Sequence, residues 1–250
     1  NKSWITDQYD QMVMCDTLER SGSDAAVIKI HKKNKAIAIS VDSSANYCKS
    51  EPVIGGKQIV CENWRNLISV GSQPLAITNC LNFGNPEDPE VMGEFAECLI
   101  GVRQACEFLK YPVVSGNVSF YNGTNKKSIF PTPVIGGVGL IKDLSKKINH
   151  RIKKENSSII LIGKTFGHLE QSVFFEEIYS INEGSPPDVN LKNEKNNGES
   201  VLKIIKENLV NSVHDISSGG LIVALAEMCI GSNYGIKINK PIKLNNIYEY

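Results

Sequence analysis

Apolar positions recur along this chain of 250 residues with two different periods. Between residues 25 and 41 two short segments have the alternating pattern of strands that have one buried face. Two such segments, Ala25 to His31 and Ala36 to Val41, are separated by four mostly charged residues, which predicts a β-hairpin. His31 stands beside two lysines, so we expect its side chain to be exposed.

The densest pattern of apolar runs and polar turn residues lies between residues 74 and 122. Short apolar runs at Leu75 to Thr78 and at Pro112 to Val114 predict two buried strands. Between them, Glu87 to Lys110 has an acidic start and then an apolar residue at every third or fourth position, which predicts an amphipathic helix. A strand, a helix and a second strand in this order indicate a parallel pair joined by a crossover.

Polar residues follow both of these predicted strands. Asn79 ends the first, and Gly116, Asn117 and Ser119 follow the second. In a parallel pair the loops after the two strands lie at the same sheet edge, so we expect these residues to converge. Free amides around Gly116 can hold phosphate, and the side-chain oxygen of Asn117 suits a hard cation such as magnesium. Ordinary strand-end turns, in which Asn and Ser bond their own backbone, explain the same residues equally well.

The rest of the first half predicts one more helix and one more strand, at Lys57 to Val70 and at Val134 to Ile141. Gly55 and Gly56 precede the helix, where a double glycine can form a phosphate-binding turn, although such pairs are common before helices. Asp42 ends the second hairpin strand, and we expect its carboxylate to cap the strand end.

A lysine-rich stretch from Lys142 to Asn156 has almost no apolar pattern. We expect a solvated connector there, between an N-terminal domain over residues 1–145 and a C-terminal α/β domain over residues 155–250. The second domain is predicted to contain a strand at Ser158 to Ile162 and helices at Val173 to Tyr179, Asn197 to Leu209 and Leu221 to Ile230.

Composition narrows the possible functions. Lys+Arg and Asp+Glu number 27 each, for a formal net charge of +0, so overall charge attracts neither nucleic acid nor a membrane surface. No apolar run approaches the roughly 20 residues of a membrane span. The seven cysteines include no CxxC or Cys/His cluster, which indicates reduced thiols rather than disulfides or a zinc site. We therefore expect a cytoplasmic protein that binds neither nucleic acid nor membrane.

Three sequence blocks carry a resemblance to a known family. They read RNLISVGSQPLAITNCLNFGNPEDPEVM, PVVSGNVSFYN and PTPVIGGVGLI. In order and spacing they resemble the synthetase subunit of phosphoribosylformylglycinamidine synthase, and in particular the second of its two internal repeats, each built like aminoimidazole ribonucleotide synthetase. The block LNFGNPEDPE argues against the sister enzymes that act on aminoimidazole ribonucleotide, thiamine phosphate or selenophosphate. The resemblance covers almost the whole chain, which starts at Asn1 and which we expect to be part of a longer protein.

The resemblance implies a fold and an activity. The fold is α/β (α+β) in two layers, a mixed sheet with flanking helices, followed by a second α/β domain. The activity is that of an ATP-dependent C–N ligase of purine biosynthesis, which converts formylglycinamide ribonucleotide to its amidine with ATP, Mg²⁺ and glutamine-derived ammonia. The family positions that match Asn79 and Gly116 contact ATP, the one that matches Asn117 ligates magnesium, and the one that matches Ser119 contacts the substrate.

The resemblance also limits what this chain can do. The family's catalytic histidine and acidic metal ligands lie in the first repeat, so no residue here is predicted to be catalytic, and we expect the chain alone to be inactive. Expected partners are that first repeat, a glutaminase subunit and a small bridging subunit. The alternative is a structural half with a degenerate nucleotide site. Asn79 and Ser218, both uncharged where many members have Asp, favour this alternative somewhat.

The block from Ser212 to Gly220 resembles the family's HD-x-S-x-GG signature. Gly219 and Gly220 can form a phosphate nest at a helix N-terminus, or they can allow tight packing of the helix on a sheet. Ser218 replaces an aspartate common in the family, which removes a potential metal carboxylate. For His214 we favour a partly buried, hydrogen-bonded structural residue.

Overall fold

A computed structural model describes residues 3–125 and 127–238. Its centre is a six-stranded mixed sheet in the order β1-β2-β3-β8-β4-β5, and β6 and β7 form a separate two-stranded ribbon. The strands are β1 (Thr17–Glu19), β2 (Ala26–Lys29), β3 (Ala36–Asp42), β4 (Gln73–Asn82), β5 (Val113–Ser119), β6 (Gly123–Thr124), β7 (Lys127–Ser128) and β8 (Thr132–Ile141). The helices are α1 (Ser3–Thr6), α2 (Ala45–Ser50), α3 (Pro52–Ser69), α4 (Pro89–Leu109), α5 (Val173–Tyr179), α6 (Leu191–Lys206) and α7 (Gly220–Cys229).

The strand pairing confirms both supersecondary predictions. β2 and β3 form the predicted antiparallel hairpin. β4 and β5 are parallel and are joined by α4, as the strand–helix–strand order indicates. β8 lies between β3 and β4 and is antiparallel to both, which makes the sheet mixed. β4 and β5 are longer than the apolar runs predict, because the polar residues after those runs continue the ladder.

The core lies between one face of this sheet and helices α3 and α4. α3 supplies six fully or nearly fully buried apolar side chains to it: Ile59, Val60, Cys61, Trp64, Leu67 and Ile68. The sheet contributes residues of one face to the same core, such as Ile77 from β4 and Ile135 from β8. Along β3 buried and exposed residues alternate strictly, which shows that the opposite face is open. The predicted mixed sheet with helices on one face is confirmed.

Gly55 and Gly56 do not precede the helix, as the sequence predicts, but lie inside α3, so they form no phosphate-binding turn. A Cβ on Gly56 would lie 2.3 Å from the Cys98 carbonyl oxygen of α4. A Cβ on Gly55 would lie 2.6 Å from the Cys48 amide nitrogen of α2. The pair is therefore a packing feature that lets three helices approach closely.

The stretch from Lys142 to Asn156 is not simply the solvated connector that its composition predicts. Ile148, Asn149 and His150 are buried, and the exposed part begins after them. Lys147 donates a hydrogen bond to the buried carboxylate of Glu19 in β1. The charges of this stretch therefore anchor it to the sheet, an arrangement that a composition argument does not foresee.

The second half contains the three predicted helices but lacks the predicted strand. Residues 158–162 pair with no strand of the described chain, and four consecutive apolar side chains there are exposed. Apolar content alone does not make a strand, because a strand also needs a neighbour for its backbone groups. α6 begins earlier than predicted because the Asn190 side chain accepts a hydrogen bond from the Asn193 amide and caps the helix. All seven cysteines are free thiols, and no helix of the described residues is long and apolar enough to cross a membrane.

Candidate functional site

Asn79 and Gly116 are direct neighbours in the parallel ladder between β4 and β5. The side-chain oxygen of Asn79 lies 1.9 Å from the position that a Cβ on Gly116 would occupy, and the Asn79 carbonyl oxygen lies 2.7 Å from it. Only glycine leaves room for the asparagine at this point. The two residues that the sequence assigns to ATP are therefore in contact.

Asn117 and Ser119 lie on the other side of the sheet from this pair. Successive residues of a strand point to opposite faces. Asn79 has the parity of the buried residue Ile77 and faces the helices, whereas the strand position of Asn117 is paired with Cys80 and faces the open side. The structure thus brings the four predicted residues to one end of two strands, but it divides them between two faces.

These residues lie within strands, not in the loops after them, which corrects the sequence-based placement. Asn117 is exposed within β5, and its side chain has no hydrogen-bond partner among the described residues, so the described chain offers no support for the alternative in which it caps a turn. Ser119 does have a local partner: the Asn122 amide donates to the Ser119 hydroxyl at 3.1 Å and to its carbonyl oxygen at 2.9 Å. Asn122 thereby holds the end of β5 in place.

β5 is an edge strand, and almost all of its residues are exposed. The strand reads VVSGNVS and carries no ionisable side chain. Its chemistry is therefore limited to hydrogen bonds from amides, a hydroxyl and backbone groups, and to neutral oxygen ligands. Such a strand can bind and orient a polar ligand, whereas proton transfer needs a titratable group from elsewhere.

A second polar cluster lines a cavity of about 650 Å³ between the sheet and the segments around residues 150 and 215. Asp42 lies at one side of this cavity and is held by three donors: Ser40 Oγ and Asn63 Nδ2, each at 2.7 Å, and Asn66 Nδ2 at 2.8 Å. Burial raises the pKa of Asp42, and these hydrogen bonds oppose the rise. The Asp42 carboxylate is thus held by side chains of β3 and α3, and the predicted capping of the strand-end backbone is not seen among the described residues.

His214 lies on the opposite side of the same cavity. Its Nδ1 lies 2.6 Å from Asp24 Oδ1, its Nε2 lies 3.1 Å from Glu227 Oε2, and its side chain is 12% exposed. This confirms a partly buried, hydrogen-bonded histidine. His31, by contrast, is 60% exposed, as predicted. Burial lowers the pKa of His214, but the hydrogen bond and charge of Asp24 outweigh burial and raise that pKa to about 9.

Sequence analysis missed this cluster as a unit. Asp24 directly precedes the predicted hairpin, whereas His214 and Asp215 belong to the HD-x-S-x-GG block, and His214 lies 190 positions further along than Asp24. Each segment has its own local sequence pattern. One is a polar turn before a strand, and the other is an HD pair before a double glycine. No periodicity relates segments so far apart, so only the tertiary structure joins them.

Two family models together match most of the chain. Residues 22–141 match the model of the AIR synthase related protein, N-terminal domain, and residues 154–247 match that of its C-terminal domain. The chain belongs to the AIR synthase related family.

Among curated proteins, the chain is 54% identical over all 250 residues to the phosphoribosylformylglycinamidine synthase subunit PurL of Pelagibacter ubique, of which it covers 34%. A Bradyrhizobium diazoefficiens protein of the same name is 49% identical over 238 residues, 95% of this chain and 32% of that protein. The chain therefore spans about a third of the length of the curated relatives that it matches.

Solved structures of PurL from Thermotoga maritima share the fold. The complex with ATP is 30% identical, with a TM-score of 0.62 over 83% of this chain and 30% of that one. The complex with FGAR is also 30% identical, with a TM-score of 0.63 over 83% of this chain and 29% of that one. The structure of PurLQS from the same organism is 36% identical, with a TM-score of 0.55 over 59% of this chain and 25% of that one.

Proposed function

We propose that this chain forms part of an ATP-dependent ligase that converts formylglycinamide ribonucleotide to formylglycinamidine ribonucleotide with glutamine-derived ammonia. The observation that carries the proposal is the 54% identity to PurL of Pelagibacter ubique over the whole chain. The Thermotoga maritima relative was solved with ATP and with FGAR, which supports ATP and this substrate as ligands. The reaction belongs to purine biosynthesis and to the cytoplasm.

In this proposal the end of the β4–β5 pair forms one rim of the active site. Asn79 and the backbone at Gly116 contact ATP, and Ser119 contacts the substrate. Because β5 is an exposed edge strand, a ligand can reach both of its faces around the free edge. The four residues lie on two faces of the sheet, and ATP, metal and substrate together can contact all four if they bend around β5.

Asn117 is the proposed ligand of Mg²⁺. Its exposed amide, which makes no hydrogen bond within the described chain, fits this role, since the oxygen is free to coordinate. Magnesium prefers six oxygen ligands, and one neutral amide oxygen supplies only one of them. The phosphates, water and the first repeat must provide the others. Bound there, magnesium would neutralise phosphate charge.

The open face of the sheet is the proposed contact with the first repeat of the same enzyme. It presents exposed apolar residues in register across three strands, with Ile28 opposite Ile37 and Ile39 opposite Val138. A continuous apolar sheet face is stable when a second apolar layer covers it. The relatives are about three times longer than the chain, so they contain enough sequence for such a layer.

The proposal also includes the division of the chain into domains and its partner subunits. The chain is divided into an N-terminal domain over residues 1–145, which carries the β4–β5 site and the pairing face, and a C-terminal α/β domain over residues 155–250. A glutaminase subunit and a small bridging subunit deliver ammonia to the assembled enzyme. The PurLQS structure of the Thermotoga maritima relative supports the presence of other subunits.

A structural half without a direct catalytic role is the second candidate. The neutral Asn79 and the absence of ionisable groups from β5 favour it, because neither supplies charge for the chemical step. In that case the nucleotide at this rim would stabilise the fold without being turned over.

A chimaera tests the proposal. The 250 residues replace the matching third of the Pelagibacter ubique protein, and amidine formation is measured with formylglycinamide ribonucleotide, ATP and ammonia. We expect turnover near that of the parent. A chimaera that melts like the parent but forms no product contradicts the ligase assignment. If the chimaera is active and neither Asn79→Ala nor Asn117→Ala lowers its rate, the result supports a structural role without direct catalysis instead.

A companion assay uses the 250-residue chain alone. We expect no ammonia-dependent product, because the proposed catalytic groups belong to the first repeat. Measurable turnover by the purified chain would show that this part of the enzyme carries its own catalytic residues.

A further inference from the structure

The side-chain amide of Asn122 joins the ends of β4 and β5 at the proposed substrate contact. Its Nδ2 donates to the Ser119 hydroxyl at 3.1 Å, to the Ser119 carbonyl oxygen at 2.9 Å and to the Phe83 carbonyl oxygen at 3.1 Å. Ser119 is the last residue of β5, and Phe83 directly follows β4. A single side chain therefore fixes the two strand ends relative to each other.

The backbone around Asn122 holds this amide in one place. Tyr121 has a φ of 59°, in the left-handed region, so the chain turns back after β5 and brings the Asn122 side chain against Ser119. The Tyr121 amide donates to the Gly84 carbonyl oxygen at 2.8 Å, and the Ile129 amide donates to the Asn122 carbonyl oxygen at 3.1 Å. A side chain carried by a turn that is bonded on both sides keeps its orientation.

Aromatic packing makes the same junction rigid. The rings of Phe83 and Phe95 lie 5.0 Å apart, and those of Phe95 and Phe120 lie 5.2 Å apart, each pair edge to face. Phe83 is buried, Phe95 belongs to α4, and Phe120 directly follows Ser119 in the sequence. Both strand ends that the Asn122 amide joins are thus anchored against α4.

Hydrogen-bond directions decide what the Ser119 hydroxyl can offer to a ligand. A hydroxyl has one hydrogen to donate and two lone pairs that accept. The Asn122 amide donates to one lone pair at 3.1 Å, whereas Asn122 Oδ1, which can accept the hydrogen, lies further away at 3.4 Å. The hydroxyl hydrogen is therefore available to a ligand, and Ser119 fits a ligand group that accepts hydrogen bonds.

We propose that Asn122 is a positioning residue that presents the Ser119 hydroxyl as a hydrogen-bond donor to an acceptor oxygen of the substrate. The inference rests on the proposed function, in which Ser119 contacts formylglycinamide ribonucleotide, whose phosphate and amide groups carry such oxygens. Asn122 itself does not touch the substrate. Its contribution is that Ser119 is held in place, with its hydrogen free to donate, before the substrate binds.

Two substitutions at Asn122 test this role in the chimaera. Asn122→Ala removes the donor, and we expect the KM for formylglycinamide ribonucleotide to rise by about 10-fold while kcat and the KM for ATP stay near the parent values. Asn122→Asp keeps the size of the side chain but offers only acceptor oxygens, which capture the Ser119 hydrogen. We expect a rise of at least about 10-fold there too, so this variant carries the test if Asn122→Ala does not fold. An unchanged KM in the folded variants overturns the proposal.

A double-mutant cycle separates the positioning role from the proposed function. Ser119→Ala is expected to raise the same KM by about 10-fold in the parent chimaera but by less than about 2-fold in the Asn122→Ala background, because the hydroxyl is then no longer oriented. If Ser119→Ala raises the KM equally in both backgrounds, the positioning role is wrong, while the substrate contact stands. If Ser119→Ala has no effect in the parent chimaera, the proposed substrate contact is wrong, and the positioning role with it.

Asn82→Ala is the matched control for a merely structural role. Asn82 is the partner of Ser119 in the β4–β5 ladder, and its amide donates to the carbonyl oxygens of Cys80 at 3.2 Å and Thr132 at 3.3 Å. Among the described residues it makes no side-chain hydrogen bond to Ser119. We expect both alanine variants to lower the melting temperature, but only Asn122→Ala to raise the KM for formylglycinamide ribonucleotide. An equal rise of the KM in the two folded variants shows that Asn122 is only structural and overturns the proposal.

Discussion

The Asn79 side-chain oxygen occupies the space that a side chain at Gly116 would need, with 1.9 Å between that oxygen and the position of a Cβ. The two residues are partners in the parallel β4–β5 ladder, 37 positions apart in the sequence. The Asn79 side chain thus requires glycine at position 116. A turn conformation is not needed to explain this glycine. This close contact sets the shape of the proposed nucleotide rim.

Gly116→Ala is expected to lower the free energy of unfolding by about 1–3 kcal/mol, because the new methyl group overlaps Asn79. Chemical denaturation measures the loss. Asn79→Ala in the same chain removes the side-chain oxygen but not the backbone oxygen at 2.7 Å, so we expect only partial recovery in the double variant. Gly93→Ala is the control: it meets open space within α4 and is expected to stabilise the protein by about 0.5–1 kcal/mol.

Asn117→Ala in the chimaera is expected to slow amidine formation by about 100-fold and to raise the magnesium requirement, because one oxygen ligand is lost. Stability should change by less than about 0.5 kcal/mol, since the exposed side chain has no partner within the described chain. Asn117→Asp restores an oxygen and is expected to be much milder. Rate, magnesium dependence and melting temperature are compared for all three proteins.

Asn82→Ala provides the contrast on the same face of the neighbouring strand. Its amide donates to the Thr132 carbonyl oxygen at 3.3 Å, so we expect a lower melting temperature with an unchanged magnesium requirement. If Asn117→Ala behaves like Asn82→Ala, the ligand role of Asn117 is wrong.

Glu19 is expected to make stability depend on pH at the acid end. Burial raises the pKa of this carboxylate, but hydrogen bonds from Lys147 and Asn149 and the charges of Lys147 and Arg151 outweigh burial and hold it below its usual value. A lowered pKa in the folded state stabilises the protein above the unfolded-state pKa of 4.5, and this contribution is lost as pH falls through the folded-state pKa.

Glu19→Gln is therefore expected to cost about 2 kcal/mol at pH 7 and much less at pH 3, where the parent carboxylate is also protonated. Urea unfolding at both pH values checks this. Glu87→Gln, at an exposed position, is the control and should show no such difference. An equal cost of Glu19→Gln at both pH values would rule out the ionised carboxylate as the cause.

Limited proteolysis with trypsin is expected to cut first after Lys153 or Lys154. These residues lie in the exposed part of the proposed connector, beyond buried Ile148 to His150. Cuts after Lys146 or Lys147 should be slower, because Lys147 is bonded to Glu19. Mass spectrometry of the earliest fragments locates the sites. First cuts within residues 73–119 would contradict the proposed division into domains.

Local patterns in the sequence determined much of the fold. Alternation predicted the β2–β3 hairpin, helical periodicity predicted α3 and α4, and the order of elements predicted the parallel β4–β5 pair. Each of these depends on neighbours a few residues apart, so the necessary information is contained in short segments. The sequence blocks also identified the family and brought Asn79, Gly116, Asn117 and Ser119 into consideration.

Long-range packing decided the rest. Gly55 and Gly56 have the composition of a turn, but they lie inside α3, where they let α2 and α4 approach closely. Residues 158–162 have the composition of a strand, but no neighbouring strand is available within the described chain. Asp24 and His214 meet across 190 positions, and the two faces of β5 separate Asn117 from Gly116. Such contacts depend on how distant segments fold against one another, and no short sequence pattern records them.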